Sequence, residues 1–235
     1  EMITSKAELE NEIVDNSKNI SFNTELIAAQ KEAITALKPK IETEPEQTAP
    51  RSGKVMYDGK TNPILGIGYK AGAFDPKSKS SIARELIGDL AFDSNSELYK
   101  KLYLKEQKVQ SLSPYFPNNR DPFLSIIFAE VNDAKDLKYV ETEVQNAVNW
   151  FQANLVETKK LEDLKKRQKY GFLMGLDTPS NLTGGLAKLI AITGGMDVIE
   201  DYFKTLATIT PQDIQDEAKK MTESKRTVIE LMGTK

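Results

Sequence analysis

The residue types that most often perform catalysis or bind transition metals are missing from this 235-residue chain. It contains no histidine and no cysteine, so it can form neither a histidine-based zinc helix, nor a Ser-His pair, nor a thiolate nucleophile. A hydrolase built from this chain alone would need a Ser-Lys dyad or a pair of carboxylates. No serine is followed by lysine three positions later, the commonest helical spacing for such a dyad. We therefore predict no catalytic residue and no metal or cofactor bound by the chain itself.

Three glycines offer one other candidate site. Gly66, Gly68 and Gly72 resemble part of a dinucleotide-binding fingerprint. Their spacing differs by one residue, and the helix that should follow at once is predicted to begin only near Lys77. Structural glycines within a strand are the preferred interpretation.

Composition limits the possible partners. The net charge is -3 and the pI is about 5.4, so no overall positive field favours nucleic acid or an anionic membrane. The sequence has no apolar run of about 18 residues, the minimum for a membrane span, and residues 1–5 lack the features of a signal peptide. We expect a soluble protein and leave its compartment open, with the bacterial periplasm or cell envelope as a working assumption.

The segment between Phe92 and Phe128 changes secondary structure twice. Ser94 and Glu97 have the spacing of a capping box, which predicts a short helix over 95–105. An extended run around Leu112, a turn at 117–119 and a buried strand over 123–129 follow. This segment carries the candidate site residues described below.

The flanking elements follow from the same kinds of signal. Residues 1–50 are predicted to be a helical lead-in, with a helix over 24–37, and a proline-containing linker over 39–50. Two strands, 54–57 and 64–69, are predicted to form a hairpin around Asp58-Gly59-Lys60. Helices are predicted over 77–91, 136–151, 159–169 and 178–193, followed by one that begins at Thr210 and by a strand over 226–232.

Two single residues are assigned within these later elements. Trp150, at the end of the helix over 136–151, is predicted to be a core anchor, and Thr183 is predicted to mark a helix entrance. Together the elements predict an α+β fold in which helices cover an antiparallel-dominated sheet.

Several quoted segments resemble one known family. They are Ile64-Leu65-Gly66-Ile67-Gly68-Tyr69-Lys70, Asp75, the apolar helix to Leu90, Ser96-Glu97-Leu98-Tyr99-Lys100-Lys101-Leu102, the two strands after it, and the closing Ile209-Thr210-Pro211-Gln212-Asp213 with Arg226-Thr227-Val228. This succession resembles the C-terminal, non-zinc type of domain in the pitrilysin, insulin-degrading enzyme and mitochondrial processing peptidase family of zinc metallopeptidases. The resemblance covers about Arg51 to Met232.

The resemblance implies a fold, a partner and a domain division. The fold would be the metalloprocessing-peptidase-like (LuxS/MPP-like metallohydrolase) sandwich, with residues 51–235 as an insulinase-like inactive domain. In this family two related domains form each half of a clamshell around a chamber. The zinc ion and the general-base glutamate belong to an HxxEH helix in a different domain. The partner would therefore be an HxxEH-bearing domain or subunit, and the substrate a peptide.

The resemblance also implies two site residues. In the family, this type of domain contributes an Arg and a Tyr seven residues apart, which hydrogen-bond the bound peptide. Aligning Leu102 with the leucine before that Arg places Tyr103 and Gln110 at the two positions. None of the five arginines has a tyrosine seven residues later. Tyr103 and Gln110 can donate hydrogen bonds but carry no fixed charge, and a surface tyrosine and a strand glutamine without a role is the alternative.

Three functional hypotheses follow. The first is a non-catalytic domain of a zinc metallopeptidase that encloses and positions peptides for proteolysis. The second is a structural scaffold subunit of the same fold without peptidase activity. The third is an unrelated α+β binding module, which the fold itself would distinguish from the other two.

Overall fold

The computed structural model describes residues 15, 17–26, 28–29, 45–175, 179–195 and 197–234. The chain divides into two compact units, residues 1–46 and 47–235. In the first unit, residues 17–26 form an exposed helix (α1). The predicted helix over 24–37 and the linker residues 39–44 lie largely outside the described residues. The division of the chain into a lead-in over 1–50 and an inactive domain over 51–235 stays a prediction.

The second unit is built around one mixed sheet of five strands. The strands are β1 (Arg51–Tyr57), β2 (Ile64–Ala71), β3 (Val109–Tyr115), β4 (Phe123–Val131) and β5 (Arg226–Gly233). Their order across the sheet is β1-β5-β2-β4-β3. The β5-β2, β2-β4 and β4-β3 pairs are antiparallel, and β1 runs parallel to β5. The predicted antiparallel-dominated α+β fold is confirmed.

The predicted hairpin between β1 and β2 is wrong. The last strand, β5, lies between them and pairs with both. Buried Val228 of β5 stands opposite Ile67 of β2, so a residue distant in sequence completes the core at that position. Two neighbouring strand-like runs predict two strands, but the apolar pattern of a third strand decides which edges meet.

The helices of the second unit lie between β2 and β3 and between β4 and β5 along the chain. They are α2 (Lys79–Phe92), α3 (Glu97–Tyr99), which continues as a π-helical stretch over Lys100–Lys105, α4 (Leu137–Ala153), α5 (Thr158–Met174), α6 (Pro179–Thr193), α7 (Val198–Thr208) and α8 (Pro211–Ala218). Thr183 lies inside α6 and does not mark its entrance, which corrects that prediction. Helix α7 was not predicted from the sequence.

The core lies between the helices and one face of the sheet. Alternate residues of β2, such as Leu65 and Ile67, are buried, and so is the apolar side of α2, with Ile82 and Leu86. Side chains alternate between the faces of a strand, so the remaining positions of each strand form the opposite face. Trp150 was predicted to be a core anchor, and this prediction is wrong. Its side chain is 48% exposed, and its neighbour Phe151 is buried instead.

Candidate functional site

The segment between α3 and β3 holds both predicted site residues. Tyr103 lies in the π-helical stretch Lys100–Lys105 and is exposed. Its ring stacks on that of Tyr99, with centroids 4.8 Å apart and an interplanar angle of 28°. The stack holds the ring while leaving the phenol hydroxyl able to donate a hydrogen bond.

Gln110 occupies a β-bulge. Val109 pairs with Val131 and Ser111 pairs with Glu130, so Gln110 is the extra residue of β3 at that point. Its exposed side chain accepts a hydrogen bond at its Oε1 from Asn62 Nδ2, at 2.6 Å. π-helical turns and β-bulges both occur frequently at functional sites, and here the two lie within one short segment.

The segment between Tyr103 and Gln110 is held in place by buried side chains and by a hydrogen bond. Leu102 and Val109 are buried at its two ends. Gln107 adopts a left-handed conformation with φ 53°, and its carbonyl oxygen accepts a 2.7 Å hydrogen bond from Asn132 Nδ2. A non-glycine residue at such a φ is costly and persists where surrounding contacts fix it. The turn around Gln107, called here the rigid turn, thus fixes the positions of Tyr103 and Gln110 relative to each other.

Nearby charges are already paired. Lys101 Nζ lies 2.5 Å from Glu143 Oε2 and 5.6 Å from the centre of the Tyr139 ring. The hydrogen bond to Glu143 raises the pKa of Lys101, which keeps it cationic. The Tyr139 hydroxyl donates to Glu106 at 2.9 Å. Tyr103 and Gln110 therefore offer neutral hydrogen-bonding groups beside a neutralised cation, in contrast to the charged arginine of the resemblance.

A metal centre does not fit the described residues. No three carboxylate side chains among them converge in a way that could hold an ion, and the sequence lacks histidine and cysteine altogether. Zinc in hydrolytic sites needs three protein ligands, commonly imidazole nitrogens. No chemical step on this chain is therefore derived through a metal.

The face of the sheet turned away from the core carries a group of apolar side chains, called here the apolar sheet face. On β4 it presents Phe128, 41% exposed, together with partly exposed Leu124 and Ile126, and on β5 it presents exposed Ile229. Gly66 lies among them, and a methyl group added there would lie 3.6 Å from the Phe128 ring, so the two share this face. Large exposed apolar patches mark interaction surfaces. Among the described helices, none has the length and hydropathy that a membrane crossing requires.

Sequence reasoning missed the buried polar cluster that joins β5 to α4. Arg226 Nη2 lies 2.7 Å from Glu141 Oε1, and Arg226 Nη1 donates to Gln145 Oε1 at 3.0 Å. The hydroxyl of Tyr69 donates to the same Gln145 oxygen at 3.3 Å. Glu141 and Gln145, four residues apart on an otherwise apolar helical face, are the signal that could have indicated it.

Comparison with known proteins relates the fold to peptidases. No protein-family model matches the sequence, and no curated protein matches it. Solved structures do match. A protease from Helicobacter pylori aligns with a TM-score of 0.73 at 19% identity, over 89% of this chain and 52% of that chain.

Two further structures carry more specific descriptions. The peptidase M16 inactive domain from Pseudomonas fluorescens aligns with a TM-score of 0.68 at 16% identity, over 83% of this chain and 46% of that chain. A structure from Bordetella parapertussis, described as the inactive peptidase domain of a zinc protease, has a TM-score of 0.64 at 14% identity, over 75% of this chain and 94% of that chain.

The extent of these matches differs. The chain spans about half the length of the first two structures, and it covers nearly the whole of the third. At these identities the likeness concerns the fold. The chain therefore has the α+β fold of M16-type peptidase domains, including domains described as inactive.

Proposed function

We propose that this chain is a non-catalytic domain of an M16-type zinc metallopeptidase, which encloses and positions a peptide while another domain or subunit supplies the HxxEH zinc site. The observation that carries the proposal is the fold shared with inactive peptidase domains in a chain that has no histidine. One chain builds the wall of the chamber and the other performs the hydrolysis.

The apolar sheet face supports a role in assembly. Phe128 and Ile229 are each exposed to roughly two fifths of their full extent, on a face that the core does not use. Burying such a face against a second domain gains about 25 cal/mol per Å² of apolar surface. A chamber formed by two halves needs apolar surface of this kind, either between its domains or along its inner wall.

The sheet edges support a role in peptide binding. In the described part of the chain, β1 and β3 lie at the two edges of the sheet, and each can offer backbone N–H and C=O groups to an extended peptide. Such contacts tolerate many sequences, because they use the backbone of the ligand. Tyr103 and Gln110 lie beside the β3 edge, and we propose that they donate hydrogen bonds to the carbonyl oxygens of the peptide.

The proposal of a non-catalytic domain is tested with the purified full chain and with its HxxEH partner, from the same or a neighbouring reading frame. The chain alone should retain no stoichiometric zinc after dialysis and should not cleave an unstructured fluorogenic peptide. Mixed with the partner at equimolar ratio, it should raise chelator-sensitive cleavage well above that of the partner alone. Metal analysis and peptide fluorescence provide the readouts. Chelator-sensitive cleavage by the pure chain would overturn the proposal.

The proposed peptide contacts are tested in the assembled enzyme. Tyr103→Phe removes a hydroxyl but keeps the stack on Tyr99, and Gln110→Ala removes the amide. Each change should raise KM by roughly 2- to 10-fold with the melting temperature nearly unchanged, as expected for one lost hydrogen bond.

Tyr170→Phe is the matched control, because Tyr170 is an exposed tyrosine on α5, away from this segment. It should leave KM unaltered. If the Tyr103 and Gln110 variants behave like this control, the two residues do not contact the substrate. If the chain binds its partner without raising cleavage, it is the structural scaffold of the alternative hypothesis.

A further inference from the structure

A polar pocket of about 330 Å³ lies where the end of β2 meets the beginning of α2 and the C-terminal part of α8. It lies in a different part of the unit from Tyr103 and Gln110, neither of which lines it. Its walls combine three serines of α2 and its cap with one serine of β4 and with charged side chains from α2 and α8. Helix α2 is 14 residues long, and its positive N-terminal end contributes to this pocket.

Arg84 is the unusual residue of the pocket. Its side chain is only 9% exposed, yet its guanidinium forms no hydrogen bond or ion pair within the described ranges 45–175, 179–195 and 197–234. Burial lowers the pKa of Arg84, and the charge of Glu217 partly opposes that effect. A buried guanidinium without a partner is expensive, since it has five N–H donors to satisfy. Arg84 Nη1 would lie 3.8 Å from a methyl group added at Gly72, so the guanidinium reaches the loop after β2.

Two other charges of the pocket, those of Glu217 and Lys220, neutralise one another. Lys220 Nζ lies 2.6 Å from Glu217 Oε2, and the hydroxyl of Ser80 donates to the same oxygen at 2.6 Å. Lys70 also lines the pocket but has an interaction partner of its own. In contrast to Lys70 and Lys220, Arg84 forms no hydrogen bond or ion pair within the described ranges, although the charge of Glu217 also acts on it.

A second polar side chain of the pocket is also unsatisfied. Ser125, on the core side of β4 opposite Tyr69, is 3% exposed, and its Oγ has no hydrogen-bond partner in the described structure. Buried hydroxyls are nearly always hydrogen-bonded, because leaving one without a partner costs about 1–3 kcal/mol. A guanidinium with no protein partner in the described ranges and an unsatisfied buried hydroxyl, from different elements, thus line the same pocket.

We propose that this pocket binds a carboxylate, held by Arg84 and Ser125. A carboxylate accepts two parallel hydrogen bonds from the fork of an arginine and still has lone pairs for a hydroxyl. Its single negative charge matches the single positive charge of the Arg84 guanidinium. A phosphate dianion would leave excess negative charge beside Glu217, which favours the carboxylate.

The size and lining of the pocket limit the kind of molecule that carries the carboxylate. Met221, Ala71 and Ala73 give it an apolar wall. A volume of about 330 Å³ lies at the lower end of the usual range for small-molecule sites, and it accommodates the last residues of a peptide or a small carboxylic acid. Both sources share the same recognition chemistry, and the probes below distinguish them.

The test uses the full chain alone, labelled with ¹⁵N. NMR titrations follow the backbone amide resonances of Gly72 and Ser125, which line the pocket and are present in every variant, and in the wild type also the Arg84 Nε–H resonance. The probes are N-acetyl-Ala-Ala with a free carboxylate, its C-terminal amide, sodium acetate and inorganic phosphate. We expect saturable shifts of Arg84 with the free acid and none with the amide. Acetate with the same Kd as the dipeptide acid would assign the site to small carboxylic acids, and tighter binding of the dipeptide would assign it to peptide ends.

Variants separate binding from folding. Arg84→Met should weaken binding of the free acid by at least about 10-fold, the loss expected for a charge-assisted pair, and should not lower the melting temperature, because no internal partner is lost. Arg84→Lys should retain part of the affinity. Arg120→Met is the control, since Arg120 is an exposed arginine paired with Asp121 at 2.7 Å, and it should bind like the wild type.

Several results would overturn the proposal. These are equal shifts with acid and amide, phosphate binding tighter than carboxylate binding, unchanged affinity in Arg84→Met, or no saturable binding to the folded chain. The proposal does not depend on the proposed peptidase function, because neither zinc nor a partner takes part in the titration. The two can therefore fail separately.

Discussion

At the scale of single residues, the buried cluster of Arg226, Glu141, Gln145 and Tyr69 joins the interior strand β5 to helix α4. Arg226 and Glu141 are both less than 10% exposed and lie 2.7 Å apart. Removing one member of such a pair leaves an unpaired buried charge, which typically costs 3–5 kcal/mol. The cluster therefore depends on keeping all of its members in one protonation state.

Tyr69 makes this dependence measurable through pH. Burial raises the pKa of its phenol to about 12, from 10.0. The neutral form is thus favoured by folding, so the stabilisation is complete below pH 10 and is lost as the pH rises from 10 towards 12. At pH 11 the free energy of unfolding of the wild type should have lost about 1.4 kcal/mol that a Tyr69→Phe variant does not lose.

Urea unfolding at pH 9, 10 and 11 provides the measurement. Other tyrosines and lysines titrate in the same range, so the comparison is the difference between variants. Tyr170→Phe, at an exposed tyrosine, should follow the wild-type pH profile. Parallel profiles for Tyr69→Phe and the wild type would show that Tyr69 does not titrate with a raised pKa.

The sequence shows directly which residue types are absent. It does not show which polar groups come into contact in the folded chain. The lack of histidine and cysteine follows from counting. Glu141 and Arg226 are 85 positions apart, and their pairing depends on the placement of β5, which no local pattern shows. The lack of a hydrogen-bond partner for Arg84 was equally unpredictable, because it depends on which residues of β2, β4 and α8 lie around the guanidinium.

At the scale of elements, short sequence patterns predicted those features that depend on neighbouring residues, such as helix caps. Thr210, Pro211 and Asp213 predicted the start of α8, and the capping box is present, with Thr210 accepting from Asp213 N and the Asp213 side chain accepting from Thr210 N. The cap of α3 was assigned to Ser94 but is Ser96, whose Oγ accepts from Tyr99 N at 3.0 Å. Two serines two residues apart offer similar caps, and a turn in which Ser96 N donates to Asp93 O selects the second.

Tertiary packing decided the elements that sequence reasoning misplaced. Trp150 lies only one residue from buried Phe151, which is about 100° around a helix and enough to move it out of the core. The wrongly predicted hairpin has a similar cause, since pairing between strands is a property of the whole sheet. The alternation of apolar and polar residues predicted which segments form strands. It did not predict which strands lie next to each other in the sheet.

The rigid turn between the π-helical stretch and β3 leads to a prediction at this scale. Gln107 occupies a left-handed conformation, which is more costly for glutamine than for glycine. Gln107→Gly should therefore leave the free energy of unfolding unchanged or raise it by up to about 1 kcal/mol, while Gln107→Val should lower it by about 1–2 kcal/mol.

Chemical denaturation of matched variants measures the effect. Gln110→Gly is the control, because Gln110 lies in the neighbouring strand and is not left-handed. Glycine in a strand costs entropy without relieving strain, so this change should destabilise the protein. A Gln107→Gly variant that loses as much stability as Gln110→Gly would show that the turn is not strained.

At the scale of the whole molecule, the fold was predictable and the activity is not determined by it. The strands, most of the helices and the antiparallel-dominated sheet followed from periodicity, whereas α7 and the neighbours of β5 did not. The likeness to M16-type domains lies in the overall fold. A fold of this kind is shared by catalytic and inactive domains, so function must be established at the sites. The paired test of chain and HxxEH partner therefore concerns the assembly, and the carboxylate titration concerns this chain alone.

The position of β5 between β1 and β2 also has a consequence for biosynthesis. This strand separates β1 from β2, yet it begins at residue 226, whereas β1 begins at residue 51, so about 175 positions are translated between the two starts. Until they leave the ribosome, β1 has no neighbour and one side of β2 is open, so the nascent chain exposes unpaired strand edges throughout most of its synthesis. Such long-range closure slows folding and favours protection by chaperones until the final strand inserts.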